Sequence, residues 1–204
     1  NTLPLVGDDR PLDLVFQFEL MDVDGGQNKF DVIKVDYNRF KESLFAWQNL
    51  IPWNTLFLGN HDQSRQVSRF GNTTNPTLWK RSAKMLAAGI HFLKGTSFIF
   101  QGDEIGMTNV DFKSVNDLKD IESITFYNES KKLGKEKKAW EGILHKARDH
   151  ARTPIQWDNT LNAGFSEHTP WMMINPNYKE INVLNQVNDD ESILNFYKKM
   201  INLK

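Results

Sequence analysis

The sequence predicts an α/β fold, and three observations lead to that class. Apolar runs of strand length alternate with amphipathic stretches of helix length, which is the pattern of βα units and not of an all-α or all-β domain. The strand candidates are residues 12–19, 54–58 and 96–101. With 204 residues, 39% of them hydrophobic and 25% charged, the chain has the size and composition of one globular domain with its own core.

Two stretches between the strand candidates carry apolar residues at helical spacing. Phe40 and Leu44 belong to a stripe in residues 36–50, and Leu86 and Ile90 belong to a stripe in residues 78–93. Gly95 follows the second stretch, where a glycine commonly ends a helix. We therefore predict helices over both stretches.

The alternation of strands and helices stops after Gly102. Residues from about 103 to 180 form a long excursion, which includes charged helical stretches at 114–133 and 138–148. Excursions of this length are usually functional or form an inserted subdomain. A last amphipathic helix is predicted over residues 189–203, because it opens with acidic residues and then presents an apolar stripe.

Three βα units leave a sheet with open apolar edges, so we expect the rest of the sheet to lie outside this chain. The natural completion is a (β/α)8 TIM barrel, of which these are late units, about strands 6 to 8. The chain begins at Asn1 without an initiator methionine. We therefore expect residues 1–204 to be a fragment, a partial catalytic barrel domain whose N-terminal barrel half is absent, and exposed sheet edges favour its dimerisation or swapping.

Composition narrows the class of partner. The 25 Lys and Arg residues balance 26 Asp and Glu residues, and the net charge of −1 gives no footprint for nucleic acid or an anionic membrane. No apolar run approaches the ~20 residues that cross a bilayer. Cysteine is absent, which excludes disulfides and thiolate metal sites, and we take the cytoplasm as the default location. His91, His145, His150 and His168 show no metal-ligand spacing, so we expect no metal site. We also expect no cofactor.

The tripeptide Asn60-His61-Asp62 follows the second strand candidate. In a barrel, side chains at the carboxyl end of a strand point into the mouth where the chemistry takes place. A carboxylate accepts and an imidazole donates hydrogen bonds, and aromatic residues are plentiful nearby, so the tripeptide suits the recognition of sugar hydroxyls. From these three residues alone, a chance match in which Asp62 merely caps the next turn stands equally open.

Longer motifs carry a resemblance to a known family. The segment Leu58-Gly59-Asn60-His61-Asp62-Gln63-Ser64-Arg65 resembles the seventh-strand motif of glycoside hydrolase family thirteen, the α-amylase superfamily, in its oligo-1,6-glucosidase and α-glucosidase branch. The resemblance covers essentially the whole chain and continues in order. Further matching segments are Phe16-Gln17-Phe18-Glu19-Leu20-Met21-Asp22 (sixth strand), Phe98-Ile99-Phe100-Gln101-Gly102-Asp103-Glu104 (eighth strand) and Ala151-Arg152-Thr153-Pro154-Ile155-Gln156-Trp157-Asp158 (a loop after the barrel).

The resemblance implies retaining hydrolysis by a nucleophile and an acid/base carboxylate about 5 Å apart. Both belong to the fourth and fifth strands, before Asn1, so we expect this fragment alone to be inactive. Asp8, Asp9 and Glu19 match no catalytic motif, and we reject them as substitutes. Asp62 resembles the family's third carboxylate, a catalytic transition-state stabiliser that binds the sugar.

The resemblance also implies four substrate-binding residues, three of which have a plainer alternative. His61 matches the histidine that donates to the sugar. Phe18 matches an aromatic wall of the sugar site, although a strand Phe more often lies in the core. Glu122 resembles an acceptor-site acid, against a solvated helix charge. Arg152 resembles the arginine that reaches the non-reducing glucose, against a structural ion pair. Arg65 is expected to orient neighbouring loops instead.

The predicted activity is cleavage of α-1,6 or α-1,4 glucosidic bonds in short gluco-oligosaccharides by the parent enzyme. Trehalose-6-phosphate hydrolysis and sucrose isomerisation are neighbouring activities in the same family. The alternative from another class is a catalytically inactive amylase-like barrel that acts as a binding or assembly partner. Ser64, Asp103 and Lys119 depart from the residues that are usual in the branch, which leaves the acceptor specificity open.

Overall fold

The computed structural model describes residues 5–7 and 9–204; Asp8, one of the carboxylates rejected above, lies outside them. Seven α-helices and two β-strands make up the regular structure of the described residues. In chain order they are α1 Tyr37–Leu50, β1 Asn54–Leu56, α2 Gln66–Phe70, α3 Pro76–His91, β2 Gly95–Ser97, α4 Ile121–Lys132, α5 Glu136–Lys146, α6 Val183–Val187 and α7 Ile193–Leu203.

The two strands form a parallel pair, joined through α2 and α3. The register pairs Asn54 with Gly95 and Leu56 with Ser97, and the amide of Phe98 extends the pairing to the carbonyl of Leu56 (2.9 Å). Two parallel strands joined by a helical crossover are a βα unit followed by the next strand. The predicted α/β alternation is confirmed here, although both strands are shorter than predicted.

The predicted strand at residues 12–19 is wrong for the described chain. Leu12 makes an isolated bridge with Val6, the next residues have no regular structure, and Glu19–Asp22 forms a 3-10 turn. The segment nevertheless passes beside β1, because the Thr55 hydroxyl donates to the carbonyl of Val15 (2.8 Å). Apolar and aromatic content predicts where a strand can form, but a strand exists only where a neighbouring backbone supplies the ladder.

Side-chain caps set the starts of the two predicted helices. The Asp36 carboxylate accepts from the amide of Asn38 (2.9 Å) at the start of α1, and Asn75 accepts from the amide of Leu78 (2.9 Å) at the start of α3. Both helices agree with the sequence within two residues. Gly95 does not end α3, which closes at Phe92; its φ of 148° instead opens β2, because an added Cβ would press on the backbone of Asn54.

Of the remaining helices, α4 and α7 begin later than predicted, α5 begins two residues earlier, at Glu136, and two were not predicted. α4 starts at Ile121 behind a cap from Asp120, since a short 3-10 turn at Val115–Asp117 precedes it. α7 starts at Ile193 with Ser192 as its cap, so the acidic residues that open the predicted helix lie before its first turn. The short helices α2 and α6 carry too few residues for a periodic pattern.

Apolar side chains of these elements pack into several clusters. One joins β1 and its continuation to α3, and a second joins α5 to Phe30 and to the part of the excursion before α4; the residues are Leu20, Met21, Val23, Leu56, Phe57, Leu58, Phe70, Leu86 and Ile90 in the first, and Phe30, Val110, Phe112, Leu118, Ile143 and Ala147 in the second. The amide of Arg65, after β1, donates to Oδ1 of Asn109 in the excursion (2.9 Å), so the excursion is folded onto the βα unit. Among the described residues, none of the helices is long and apolar enough to cross a membrane.

Candidate functional site

The segment that follows β1 turns sharply at Asn60. The Asn60 side chain accepts from the amide of Asp62 (2.8 Å), and its carbonyl accepts from the amide of Gln63 (3.2 Å). This Asx-type turn satisfies the local backbone with the asparagine side chain. It leaves the imidazole of His61 72% exposed and the carboxylate of Asp62 44% exposed.

Two arginines hold one oxygen of the Asp62 carboxylate. Oδ1 accepts from Nη2 of Arg152 (2.9 Å) and from Nη1 of Arg148 (3.2 Å). The other oxygen, Oδ2, lies 3.3 Å from Nε2 of His61. The arginines therefore fix the carboxylate through one oxygen, while the second oxygen and the imidazole share the exposed side.

The surroundings keep Asp62 ionised. Partial burial acts to raise its pKa, but the hydrogen bond from Arg148 and the charges of His61, Arg148 and Arg152 outweigh burial, and the pKa lies below its usual range. At neutral pH the group is a carboxylate that can only accept hydrogen bonds. Such a group binds hydroxyls and stabilises positive charge that develops beside it.

Arg152 lies beside the tripeptide, in contact with Asp62. Besides Asp62, its Nε donates to the carbonyl of His61 (3.0 Å). The structural ion pair that was the plainer alternative is therefore present. Because the guanidinium remains 29% exposed, contact with a sugar stays a prediction.

Glu122 is the second residue of α4, and its carboxylate lies close to two cationic side chains. Its Oε2 lies 2.6 Å from Nζ of Lys29 and 3.7 Å from Nη2 of Arg148. Because Arg148 also contacts Asp62, the structure connects Glu122 to the turn after β1 through one side chain. The predicted acceptor-site role of Glu122 is untested by these contacts.

Phe18 lies beside the tripeptide on the wall of an aromatic cavity. Its ring is 52% exposed and meets the ring of Phe57 edge to face at 5.9 Å. The cavity has a volume of about 670 Å³ and is lined by Phe16, Phe18, Phe57, Gly59, Asn60, His61, Ser97, Phe98, Ile99 and Phe100. Phe18 is thus at a surface and not in the core, and an exposed aromatic face of this kind can stack on an apolar sugar face.

The rejected carboxylates and the other candidates have local roles. Glu19 accepts from the indole of Trp47 (2.6 Å) on α1, and Asp9 is an exposed residue with a φ of 58°. Arg65 is buried and donates to the carbonyls of Gln101, His150 and Ala151 (2.6, 3.2 and 3.3 Å), which agrees with a loop-orienting role. Among the described residues, no group of three or more His, Asp or Glu side chains is placed to hold a metal ion.

Sequence reasoning missed Lys29, Asp120 and Arg148. Arg148 was placed only at the end of a helical stretch, and Asp120 was not singled out. One signal was available, because Arg148 precedes the predicted Arg152 by four residues in Arg148-Asp149-His150-Ala151-Arg152. The contact of Lys29 with Glu122 spans 93 residues, and no local pattern reports a pair so far apart.

Comparisons with known proteins place this site in context. The family profile described as the catalytic domain of α-amylase matches residues 5–204. The chain is 46% identical over 201 residues to an oligo-1,6-glucosidase of Parageobacillus thermoglucosidasius, covering 96% of the chain and 35% of that relative. It is 39% identical over 203 residues to a trehalose-6-phosphate hydrolase of Bacillus subtilis (strain 168), covering 97% of the chain and 36% of that relative.

Solved structures of similar enzymes also superpose on this chain. A trehalose-6-phosphate hydrolase of Bacillus licheniformis superposes with a TM-score of 0.90 at 42% identity, over 94% of the chain and 35% of that structure. An isomaltulose synthase of Erwinia rhapontici NX5, solved with sucrose, superposes with a TM-score of 0.89 at 37% identity over the same shares of the two chains. The chain therefore spans about a third of the length of the relatives that it matches.

Proposed function

Because the chain belongs to the α-amylase catalytic-domain family, we propose that it supplies the sugar-binding wall of a retaining α-glucosidase acting on short gluco-oligosaccharides. The observation that carries the proposal is the Asp62 carboxylate, ionised, fixed by Arg148 and Arg152 through Oδ1, and partly exposed beside an aromatic cavity. The relatives are α-glucosidase-type enzymes, and because two of them are named oligo-1,6-glucosidase, we propose α-1,6 rather than α-1,4 bonds as the linkage that is cleaved.

In this proposal Asp62 acts in the transition state. Retaining hydrolysis passes through an oxocarbenium-like sugar ring, which is flattened and positively charged. A carboxylate held in place by two arginines does not have to reorganise when that charge appears, so its stabilisation is greatest in the transition state. His61 donates to a hydroxyl of the same sugar, and Phe18 stacks on its apolar face.

We propose the arrangement of the same family for the other elements and site residues. β1 and β2 take the places of strands 7 and 8 of a (β/α)8 barrel, and residues 12–19, although they form no strand here, run where strand 6 would lie. Residues 1–204 form one partial barrel domain with its excursion at about 103–180 and its last helix within 189–203. Arg152 and Glu122 bind the substrate, an oligosaccharide, and the location is cytoplasmic. No cofactor, nucleic acid or membrane enters the mechanism.

A chimera tests the proposal. The 201 matched residues of the Parageobacillus oligo-1,6-glucosidase are replaced by this chain, and turnover of isomaltose and maltose is measured. We expect activity, and we expect Asp62→Ala to lower kcat by about 10²-fold or more with a smaller change in KM. Asp190→Asn, at an exposed residue before α7, is the matched control and should leave both constants unchanged.

Four outcomes would contradict parts of the proposal. A folded chimera without turnover would favour an inactive, amylase-like binding partner. Unchanged kcat in Asp62→Ala would remove Asp62 from the chemistry. A loss confined to KM would make Asp62 a simple binding residue. The chimera could instead hydrolyse trehalose 6-phosphate or isomerise sucrose faster than it hydrolyses isomaltose. That result would assign the chain to one of these neighbouring activities, for which two of the similar structures are named.

The chain by itself is proposed to be inactive. The acids that lie nearest Asp62 along the ion-pair network, Asp120 and Glu122, are both engaged by cations, so neither is a free nucleophile. The 204-residue protein should therefore release no nitrophenol from a nitrophenyl α-glucoside. Turnover that disappears in Asp62→Ala would overturn this part of the proposal. Dimerisation through the open sheet edges is a further proposal for the isolated chain, and sedimentation velocity tests it by the presence or absence of a dimer.

A further inference from the structure

The guanidinium of Arg148 contacts three carboxylates that come from two distant parts of the chain. Nε donates to Oδ1 of Asp120 at 2.6 Å, and Nη1 donates to Oδ1 of Asp62 at 3.2 Å. Nη2 lies 3.7 Å from Oε2 of Glu122. Asp62 belongs to the turn after β1, whereas Asp120 and Glu122 belong to the N-terminal end of α4. One planar group therefore joins the two sides of the candidate site.

The neighbouring residue strengthens the connection to α4. The carboxylate of Asp149 is fully buried, and its Oδ2 accepts from the backbone amides of Lys119 (2.9 Å) and Asp120 (3.1 Å). Asp120 in turn accepts from the amide of Ser123 (3.2 Å) as the helix cap. Asp149 thus binds backbone amides at the start of α4, and Arg148 binds the side chain of Asp120 that caps the helix.

The charges around Arg148 favour this arrangement. Burial alone would lower the pKa of Arg148, but the hydrogen bonds that it donates to Asp120 and Asp62 raise the pKa above its usual value. The side chain of Asp120 is 2% exposed, so loss of Arg148 would leave it buried without its cation, which is costly. The five donors of a guanidinium lie in one rigid plane. Asp62 and Asp120 are therefore bound to the same rigid plane, so a displacement of either carboxylate changes the geometry of both hydrogen bonds.

We propose that Arg148 is a positioning residue that couples the orientation of Asp62 to the start of α4, and so fixes the separation between the sugar-binding carboxylate and Glu122. This inference rests on the proposed function for its consequence, which is that the glucose side and the acceptor side of the site move together. The coupling itself concerns the folded chain alone. Arg152 is the natural comparison, because its contacts are with Asp62 and the carbonyl of His61 and none of its hydrogen bonds reaches α4.

A double-mutant cycle on the 204-residue chain tests the coupling. Amide hydrogen exchange of residues 119–124 is measured in the unchanged protein, in Asp62→Ala, in Arg148→Met and in the double variant, without any sugar. If Arg148 couples the sites, Asp62→Ala should accelerate exchange of these amides at least about twofold, the effect of the weakest couplings within one network. The same substitution should have no effect in the Arg148→Met background.

The matched control is Arg152→Met. It removes a cation from Asp62 just as Arg148→Met does, so carbon-detected NMR titration should show the pKa of Asp62 rising in both variants. Only Arg148→Met should change exchange at residues 119–124. If Arg152→Met changes amide exchange at residues 119–124 in the same way, the loss of any positive charge beside Asp62 is enough to affect α4. The contact of Arg148 is then not the link, and the proposal fails.

Two further outcomes keep the test decisive. Indifference of the α4 amides to Asp62→Ala in the unchanged protein would reduce Arg148 to a structural partner of Asp120 and overturn the proposal. If Arg148→Met does not fold, Arg148→Lys and Asp120→Asn replace it, since a single ammonium or a neutral cap breaks the bridge between the two carboxylates. None of these measurements requires turnover, so failure of the coupling and failure of the α-glucosidase proposal are separate results.

Discussion

Replacing Asp24 by asparagine tests how far buried charge holds this fold together. Asp24 is fully buried in the loop after the 3-10 turn at Glu19–Asp22. Its carboxylate accepts from Nε of Arg69 (2.7 Å) on α2 and from Nζ of Lys146 (2.9 Å) at the end of α5, and Nε2 of His145 lies 3.4 Å away. The cluster ties three segments together with one anion.

The expected loss follows from the burial of the two cations. The side chains of Arg69 and Lys146 are 0% and 3% exposed, so asparagine leaves both charges without a neutralising partner. Removing one member of a buried ion pair costs about 3–5 kcal/mol. That is a large share of the roughly 5–15 kcal/mol by which a domain is stable. With a urea m-value of about 2–3 kcal/mol/M, the unfolding midpoint should fall by roughly 1–2.5 M.

Urea unfolding followed by circular dichroism measures the loss, with Asp31→Asn as the control. Asp31 also pairs with a lysine, Lys138, but on the surface, so its midpoint should hardly change. Replacing Asp24, Arg69 and Lys146 together by leucine and methionines should recover part of the loss, because no charge is left orphaned. A midpoint shift below about 0.3 M in Asp24→Asn would refute the argument that the cluster is electrostatically essential.

The same cluster predicts a pH dependence. Burial acts to raise the pKa of Asp24, but Arg69, His145 and Lys146 together lower it far below its usual range. Its contribution to stability is therefore present above the unfolded pKa of about 4 and is lost as the pH falls below that value. The stability difference between the unchanged protein and Asp24→Asn should shrink on acidification, and a difference that grows would contradict the sign.

Three further predictions concern other positions. Burial raises the pKa of Asp103 to about 7, so the unfolded chain releases this proton at lower pH than the folded chain. The free energy of unfolding should therefore fall as the pH rises from about 4 to 7, and Asp103→Asn should remove this fall. Equal pH slopes in the two proteins would contradict the prediction. Gly142→Ala in α5 should cost about 3 kcal/mol of unfolding free energy, because the added Cβ would lie 2.0 Å from the carbonyl oxygen of Phe30. Gly89→Ala in α3 should instead stabilise by about 0.5–1 kcal/mol, since nothing lies within 4 Å of its added Cβ; thermal melts of both variants check the opposite signs.

The candidate site illustrates what the sequence can and cannot predict. The tripeptide Asn60-His61-Asp62 and Arg152, which the sequence singled out separately, are in contact, and their roles toward a sugar stay predictions. The contacts of Arg148 were not predicted, because an arginine in a charged helical stretch looks like any solvated residue. Its function as a bridge depends on two carboxylates 28 and 86 residues away in the chain, and such distances appear only when the chain is folded.

The fold divides in the same way. Periodicity and caps determined α1 and α3 within two residues, because helix signals are local: Asp36 and Asn75 bond to amides two or three residues ahead. The predicted strand at 12–19 failed because pairing is not local, and a run of Val and Phe says nothing about which backbone lies beside it. The late start of α7 has a local cause that was read wrongly, since Ser192 caps the helix in place of the acidic residues before it.

The sequence by itself determined the family, the α/β alternation and the tripeptide at the end of β1, since each is written in contiguous residues. Only the tertiary structure decided that Asp62 is held by two arginines through one oxygen, that Arg148 joins it to α4, and that Asp24 neutralises cations on α2 and α5. The physical reason is that the energy and the role of a charged side chain depend on the groups that surround it in space. Burial and ion pairing set whether a carboxylate is a ligand, a link or a structural anion, and residues far apart in the chain supply both.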